Sequence, residues 1–340
     1  MAQETTGLAV TLQDFKSRLD PNDKIARIIE MQSKSNPILE DMVFVEANEV
    51  TGHVSTIRTG LPDATWRRLN YGVKASKSKT AQVRDKIGML EAWSQIDCDL
   101  AELNGNSAEF MLSESKAHLE GMNQSMATTL FYGDENVYID RFTGLAPRYS
   151  VPSATSGNIG TNVLAYADEG STSGSDIHDI FLVVWGANTV HGIYPKGSVA
   201  GFKMEPLGRQ RVDDGDGGNF MAYQTHFQWK MGLCVPDWRY AVRGANVDIS
   251  VIKAETSTTA LLDLMTEMVY RLPSDFESMG KAVFYVPREV APYLQKQAAY
   301  RASNALTLED PVGRPLMKFM GISVKRCDAL VASSTEITFS

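Results

Sequence analysis

At 340 residues, with 43% hydrophobic and 22% charged side chains, the chain has the make-up of a soluble globular protein of roughly two domains. Its formal net charge of −8 excludes a dedicated nucleic-acid reader, because phosphate contacts need a concentrated cationic surface that releases counterions. Three scattered cysteines, Cys98, Cys234 and Cys327, with no CxxC pair, fit a reducing compartment and exclude a disulfide framework or a zinc ribbon.

The opening MAQETTGLAV has no basic leader followed by an apolar stretch, and the densest apolar run, Ile180 to Trp185, is too short to span a bilayer. A cytosolic origin and no membrane partner are therefore expected. Residues 1–20 read as a polar arm that orders against something else. A short helix follows, with Asp20 as N-cap, Pro21 at its first position and Ile25, Ile28 and Ile29 on one face. A brief apolar cluster, Ile38, Leu39, Met42, Val43 and Phe44, leads into a strongly basic stretch.

That stretch, His53 to Lys86, carries Arg58, Arg67, Arg68, Lys74, Lys77, Lys79, Arg84 and Lys86 against Asp63 and Asp85. Its returning half sets Ala81, Val83, Ile87 and Met89 against Thr80, Gln82, Arg84 and Lys86, a period of two that predicts a strand with one apolar face. The outgoing half, residues 50–59, is rich in Val and Thr and reads as its partner. Gly60, Pro62 and Gly72 punctuate a long turn between them. A two-stranded loop of this kind is marginal alone in water and needs a surface to rest on.

From Glu91 to Leu130 the sign reverses, with Glu91, Asp97, Asp99, Glu102, Glu109, Glu114 and Glu120 against Lys116, in a segment that reads as helix-forming. Its clearest helix is predicted over residues 107–132, capped by Asn106 with Glu109 three positions on, and ended by Gly133. Ala108, Met111, Leu112, Ser115, Leu119, Met122, Met126 and Leu130 form its apolar stripe. Its length would be about 39 Å. Opposite charge on adjoining segments predicts that the basic loop of one copy meets the acidic helix of another.

Residues 150–176, rich in Ser, Thr and Gly, read as an exposed loop. Strands are predicted at 180–186, 189–194 and 199–204, then an Asp- and Gly-rich turn at 213–218, and long strands near 221–234 and 238–252. A helix at 260–272, a strand at 282–286, a helix opened by Pro287 and a strand at 316–325 complete an α+β chain, without regular βαβ alternation.

Catalytic signatures are absent. His53, His118, His178, His191 and His226 lie in no HExxH or HxH pattern, so a zinc site would have to be assembled from distant parts. For each the simpler reading is structural, and His118 reads as a surface residue of the long helix. Gly280 and Lys281 lack the rest of a phosphate loop, and GSTSG at 170–174 puts Thr172 where a nucleophile elbow needs serine. No cofactor is expected. The best candidate metal ligands are Asp214 and Asp216, in a turn that backbone conformation alone also explains.

Three further pieces carry a resemblance: the long helix running into FYGDENVYIDRFTGLAP, the strand and helix KAVFYVPREVAPYLQKQ, and the late strand KFMGISVKRCDAL. With the basic loop before them, they resemble the major capsid proteins of tailed bacteriophages, whose fold encapsulin shells share. The resemblance implies an N-terminal arm (1–49), an extended loop (50–90), a peripheral domain (91–143 and 221–255) with a spine helix at 107–132, an axial domain (144–220 and 256–330), and a tail (331–340). The strand and helix AVFYVPREVAPYLQ follow the long peripheral strands here, whereas they precede them in better-known members, so a rearranged element order is expected. A self-assembling shell of pentamers and hexamers around double-stranded DNA is implied. Its partners would be copies of itself, portal, scaffolding and decoration proteins, with the DNA as contents that are not read by sequence. The expected intersubunit contact residues are Arg58, Trp66, Arg67, Arg68, Leu69, Tyr71, Lys74, Lys77 and Lys79 on the loop, and Glu109, Glu114 and Glu120 on the helix. An encapsulin-like compartment and a soluble metal-dependent hydrolase using Asp214 and Asp216 are the alternatives.

Overall fold

A computed structural model describes residues 34, 36–103, 107–153, 155, 157–166, 177–213, 217–254, 260–300, 306–309, 316–331 and 337. The expected arm and its first helix, Asn106, Thr172, and both Asp214 and Asp216 lie outside the described residues. In chain order the elements are α1 (Ile38–Asp41), β1 (Phe44–Glu46), β2 (Gly52–Gly60), β3 (Lys79–Asp97), α2 (Cys98–Glu102), α3 (Ser107–Tyr132), α4 (Leu145–Arg148), β4 (Val163–Ala165), β5 (Ile177–Trp185), β6 (His191–Tyr194), β7 (Phe202–Asp213) and β8 (Asn219–Cys234). The remainder are β9 (Ala241–Asp248), α5 (Ile249–Ala254), α6 (Ala260–Arg271), α7 (Phe276–Met279), β10 (Lys281–Val286), α8 (Ala291–Tyr300), β11 (Leu306–Glu309), β12 (Leu316–Phe319) and β13 (Ile322–Arg326). The mixture of helices with two sheets is α+β, as the sequence predicts.

The chain divides into two compact units. One comprises residues 1–35, 89–127 and 201–230; the other comprises 36–88, 128–200 and 231–340. The larger unit is built on a seven-stranded sheet ordered β11-β12-β13-β10-β5-β9-β4. Every residue of β5 and of β9 is buried, which is why β5 reads as an apolar run from Ile180 to Trp185: that part is covered on both faces, and His178 and Asp179 precede it. Ile180, Leu182 and Val184 of β5 join a core with Leu261, Leu264, Met265 and Met268 of α6. The alternate residue Phe181 meets Phe131 at a ring distance of 5.3 Å. Gly244 on β9 lets α6 approach, since a Cβ there would lie 3.1 Å from both Leu264 and Met268.

The smaller unit holds α2, most of α3, the antiparallel β7–β8 ribbon and the second half of β3. Its core is small: Ile96, Leu100, Ala101 and Phe110, with Met111 and Tyr223 packed against them. Helix α3 occupies the predicted residues 107–132. Gly133 stops it where the chain passes so close to Phe142 and Thr129 that a Cβ would lie 2.5 and 2.6 Å from their carbonyl oxygens.

Several expectations are corrected. Strand β3 runs on to Asp97, so Glu91 and Asp97 stand on a strand rather than in a helix-forming segment. Its apolar alternation also fails to hold: Ala81, Val83 and Met89 are exposed, Asp85 and Ile87 are buried, and beyond Gly88 the buried positions shift to Ser94 and Ile96. Burial follows what each stretch packs against. At Gly88 a Cβ would come within 3.2 Å of the Phe142 ring and 3.4 Å of the Asp140 carbonyl oxygen. On α3, Leu112 (57% exposed) and Leu119 (38%) leave the expected stripe, and Phe110, Ala127 and Phe131 are buried instead.

The predicted loop at 150–176 contains β4, whose Val163 and Leu164 are buried against β9 in parallel pairing. The strand expected at 238–252 is shortened at both ends. Asp237 accepts a hydrogen bond from Arg239 N–H at the start of a 3-10 turn, and Asp248 accepts one from Ser250 N–H at the start of α5. The strand expected at 316–325 is a hairpin, β12 and β13. Met320 (φ 48°) and Gly321 (φ 82°) form the two-residue turn that such tight hairpins require.

Candidate functional site

Strands β2 and β3 pair antiparallel from Gly52 opposite Lys86 to Gly60 opposite Lys79, with an irregularity between Arg58 and Gly60. Beyond them residues 61–78 form a loop without regular structure. Ser76 Oγ ties its two limbs by donating to the Asp63 carbonyl at 2.8 Å. At the tip Asn70 adopts φ 65°, Tyr71 N–H donates to the Arg68 carbonyl, and Arg67 Nε donates to the Tyr71 carbonyl at 2.9 Å. That local turn holds Trp66 (103% exposed), Leu69 (90%) and Tyr71 (69%) out of any core.

The basic stretch thus has two parts. Arg58, Arg67, Arg68, Lys74, Lys77 and Lys79 are all exposed. At the base, Arg84 pairs with Glu49 at 3.0 Å and donates to Thr51 Oγ1, and Lys86 donates to the Ile139 carbonyl. Asp85, 3% exposed at its side chain, pairs with Arg148 at 2.6 Å. The base is committed within its own unit, and the tip is presented to the outside.

The acidic residues are less open than their number suggests. Glu109 is exposed in the first turn of α3, where a carboxylate favours the helix dipole. The Glu114 side chain is only 15% exposed and lies 3.9 Å from His118. Glu120 accepts hydrogen bonds from Lys34 N–H at 2.9 Å and from Gln124 Nε2 at 2.7 Å. His118, expected at the surface, is half-buried and stacks on Phe227 at 5.3 Å. On β3, Glu91 meets His226 Nε2 at 3.1 Å and accepts from Gln228; these contacts, Gln228 first, hold its carboxyl below the ordinary value. Trp93 stacks on His226 at 4.3 Å. Glu91, Glu114, His118 and Met122 help line a shallow groove of about 400 Å³.

Two buried polar nodes lie in the larger unit. Arg243 donates to Asp179 at 2.7 Å and to the Ala146 and Tyr149 carbonyls, tying α4 to the central strands. Asp41 accepts from Lys281, Lys325 and Tyr285. Both read as structural ties. A third group, His53, His191 and Cys234, brings one donor atom from each residue within 4.8 Å of the others. No sequence spacing announces it. The strand register does, by placing His191 opposite Cys234 and His53 opposite Asp85.

The family described as Major capsid protein GP7 matches residues 20–338. Among solved structures, a chain from bacteriophage epsilon15 is 32% identical, with a TM-score of 0.77 over 99% of each chain. The bacteriophage JBD30 capsid chain is 10% identical over 92% of this chain and 99% of its own, with a TM-score of 0.47. A chain of the holo-SrpI encapsulin complex from Synechococcus elongatus is 9% identical over 70% and 96%, with a TM-score of 0.42. The last two are too remote to argue from. No curated protein matches.

Proposed function

The chain belongs to the Major capsid protein GP7 family, and from that premise we propose that its copies assemble as pentamers and hexamers of a closed icosahedral bacteriophage head around double-stranded DNA. The work of such a protein is geometric: heterologous contacts repeat until rings and then a shell close. No catalytic step and no cofactor belong to this reading. Assembly takes place in the host cytoplasm, with portal, scaffolding and decoration proteins as further partners. The acidic balance of −8 suits a container that does not grip its contents.

The observation that carries the assembly reading is the loop tip. Trp66, Leu69 and Tyr71 stand 69 to 103% exposed among cations, and no core among the described residues shelters them. Large apolar side chains held out together mark an interaction surface. Residues 50–90 act as the extended loop, α3 as the spine, and the acidic residues Glu109, Glu114 and Glu120 of a neighbouring copy face the basic tip. Exposed charge pairs contribute only ~0–1 kcal/mol each, whereas fully burying one large apolar side chain contributes about 1.5–3 kcal/mol. Charge therefore sets register, and the tip side chains supply the grip.

The test is negative-stain microscopy of the purified protein beside a variant carrying Arg67→Glu, Arg68→Glu and Lys74→Glu. Shells from the parent and unassembled, folded subunits from the variant at low salt are expected. Shells formed equally by both would refute the loop's role. Uniform small particles from the parent would refute assembly itself.

A further inference from the structure

We propose that His53, His191 and Cys234 bind a divalent cation of the zinc type at the base of the β2–β3 hairpin, with Asp85 or a water completing four-coordination.

The first ground is convergence. The three donor atoms lie within 4.8 Å of one another, and tetrahedral zinc with ordinary bond lengths holds its nitrogen and sulfur ligands about 3.3–3.6 Å apart. Closing the difference takes movements of roughly an ångström, within reach of small side-chain rotations. The two imidazoles already meet edge to face, with centroids 6.0 Å apart and planes at 89°. All the donors sit in one compact unit, on β2, β6 and β8.

The second ground is the set of polar atoms left unmatched. His191 is 2% exposed, yet among the described residues neither of its ring nitrogens makes a hydrogen bond of ordinary geometry. The nearby Gly186 carbonyl is taken by the Thr189 N–H and hydroxyl. Asp85 gives Oδ1 to Arg148, and among the described residues its buried Oδ2 makes no hydrogen bond of ordinary geometry. Cys234 is fully buried, its thiol 3.5 Å from the Ser55 hydroxyl and facing the Asp85 carboxylate. Buried polar groups are nearly always satisfied, so a concentration of unsatisfied ones around a thiol calls for an explanation. A bound cation supplies one partner to several of them at once.

The third ground is chemistry. Two imidazoles and a thiolate are a borderline-soft donor set that suits zinc. Burial, and then the neighbouring His53, push the His191 pKa down to about 4, so its ring is neutral and its lone pair available at neutral pH. Burial, and then Asp85, push the Cys234 thiol up to about 12. Binding therefore breaks the S–H bond, forms the sulfur–metal bond and releases one proton to solvent. The thiolate offsets one of the ion's two charges, and Asp85, shared with Arg148, offsets part of the other. His53 gives up the long 3.3 Å hydrogen bond that it accepts at Nδ1 from Asn48 N–H. Being half-buried, it also offers the way in. The bound ion would staple the hairpin base to the β6–β8 pair.

The experiment uses the full-length chain, stripped with chelator and titrated with cobalt(II) and then zinc. One cobalt per chain is expected, with the strong visible bands of four-coordinate cobalt and a thiolate-to-cobalt charge-transfer band, all discharged by zinc. Cys234→Ser should abolish the charge-transfer band, and His53→Asn, the mildest change, should weaken binding at least tenfold. A parent chain without that band, or a Cys234→Ser chain binding cobalt as tightly as the parent, overturns the proposal. A second measurement needs no variant: in mild denaturant, zinc should slow alkylation of Cys234 and leave Cys98 and Cys327 unchanged, as read by mass spectrometry. Equal protection of all three cysteines, or of none, also overturns it.

Discussion

Replacing Asp41 by Asn should weaken the larger unit by about 2–4 kcal/mol, most of it from buried hydrogen bonds. The Asp41 side chain is 2% exposed, with Lys281 and Lys325 Nζ at 2.6 and 2.7 Å from Oδ1 and the Tyr285 hydroxyl donating to Oδ2 at 3.0 Å. Trp185 Nε1 in turn donates to Tyr285 at 2.8 Å. The lysines are 58% and 28% exposed, so water replaces part of what they lose and their share falls toward that of surface pairs, ~0–1 kcal/mol each. The Tyr285 and Trp185 links have no such relief, and an amide nitrogen facing the Tyr285 hydroxyl costs about 1–3 kcal/mol more. Burial is the largest single influence on Asp41 and pushes its pKa up, but the Lys281, Lys325 and Tyr285 contacts together outweigh it and hold the carboxyl below its ordinary 3.8. A depressed carboxyl contributes stability that is complete above the unfolded value and is lost as pH falls through the folded one. Urea unfolding of dissociated chains, followed by tryptophan fluorescence, should give a constant gap between parent and variant at about pH 5–7, narrowing below about pH 4. An unchanged midpoint at pH 7, or a gap that persists undiminished into acid, would refute the reasoning.

Gly133→Ala should cost about 1–3 kcal/mol or prevent soluble expression, because the new Cβ meets backbone oxygens that cannot swing away. Gly121→Ala, in the same helix with nothing within 4 Å of its Cβ position, should instead raise stability by about 0.5–1 kcal/mol; thermal melting compares the two. Arg148→Met leaves the buried Asp85 carboxylate without its partner and should cost about 3–5 kcal/mol. Adding Asp85→Asn should recover much of that in a double-mutant cycle.

Legibility in the sequence follows the range of the interaction that decides each element. The limits of α3 are local: a long run of helix formers ended by Gly133, and the helix stands at Ser107–Tyr132. Its buried face is tertiary, set by what Phe110, Met122 and Phe131 pack against, and periodicity alone misplaces Leu112 and Leu119. β5 is visible from Ile180 onward because a strand covered on both faces reads as an apolar run, whereas its first residues, with His178 and Asp179, do not show it. β4 is hidden, since three residues in a Ser- and Gly-rich stretch become a strand only through pairing with Arg243, Gly244 and Ala245. The turn between β12 and β13 is signalled only by Gly321, inside a run that otherwise reads as one strand.

Charge shows the same limit more sharply. A count of cations from His53 to Lys86 treats the stretch as one object, but each charge belongs to whichever groups the fold brings to it. Arg84, Asp85 and Lys86 stand on the paired part of β3 and are matched by Glu49, Arg148 and the Ile139 carbonyl. Arg67, Arg68, Lys74 and Lys77 stand beyond the last strand pair, exposed, with no second layer of described residues over them. Covering Trp66 with the chain's own surface would need the loop to fold back, and an irregular segment that orders itself loses about 1–2 kcal/mol of backbone entropy per residue. A neighbouring copy meets the same need with a preformed surface, and repeating that contact around a ring shelters every tip. The base is therefore where changes should cost stability of the single chain, and the tip is where they should cost assembly alone.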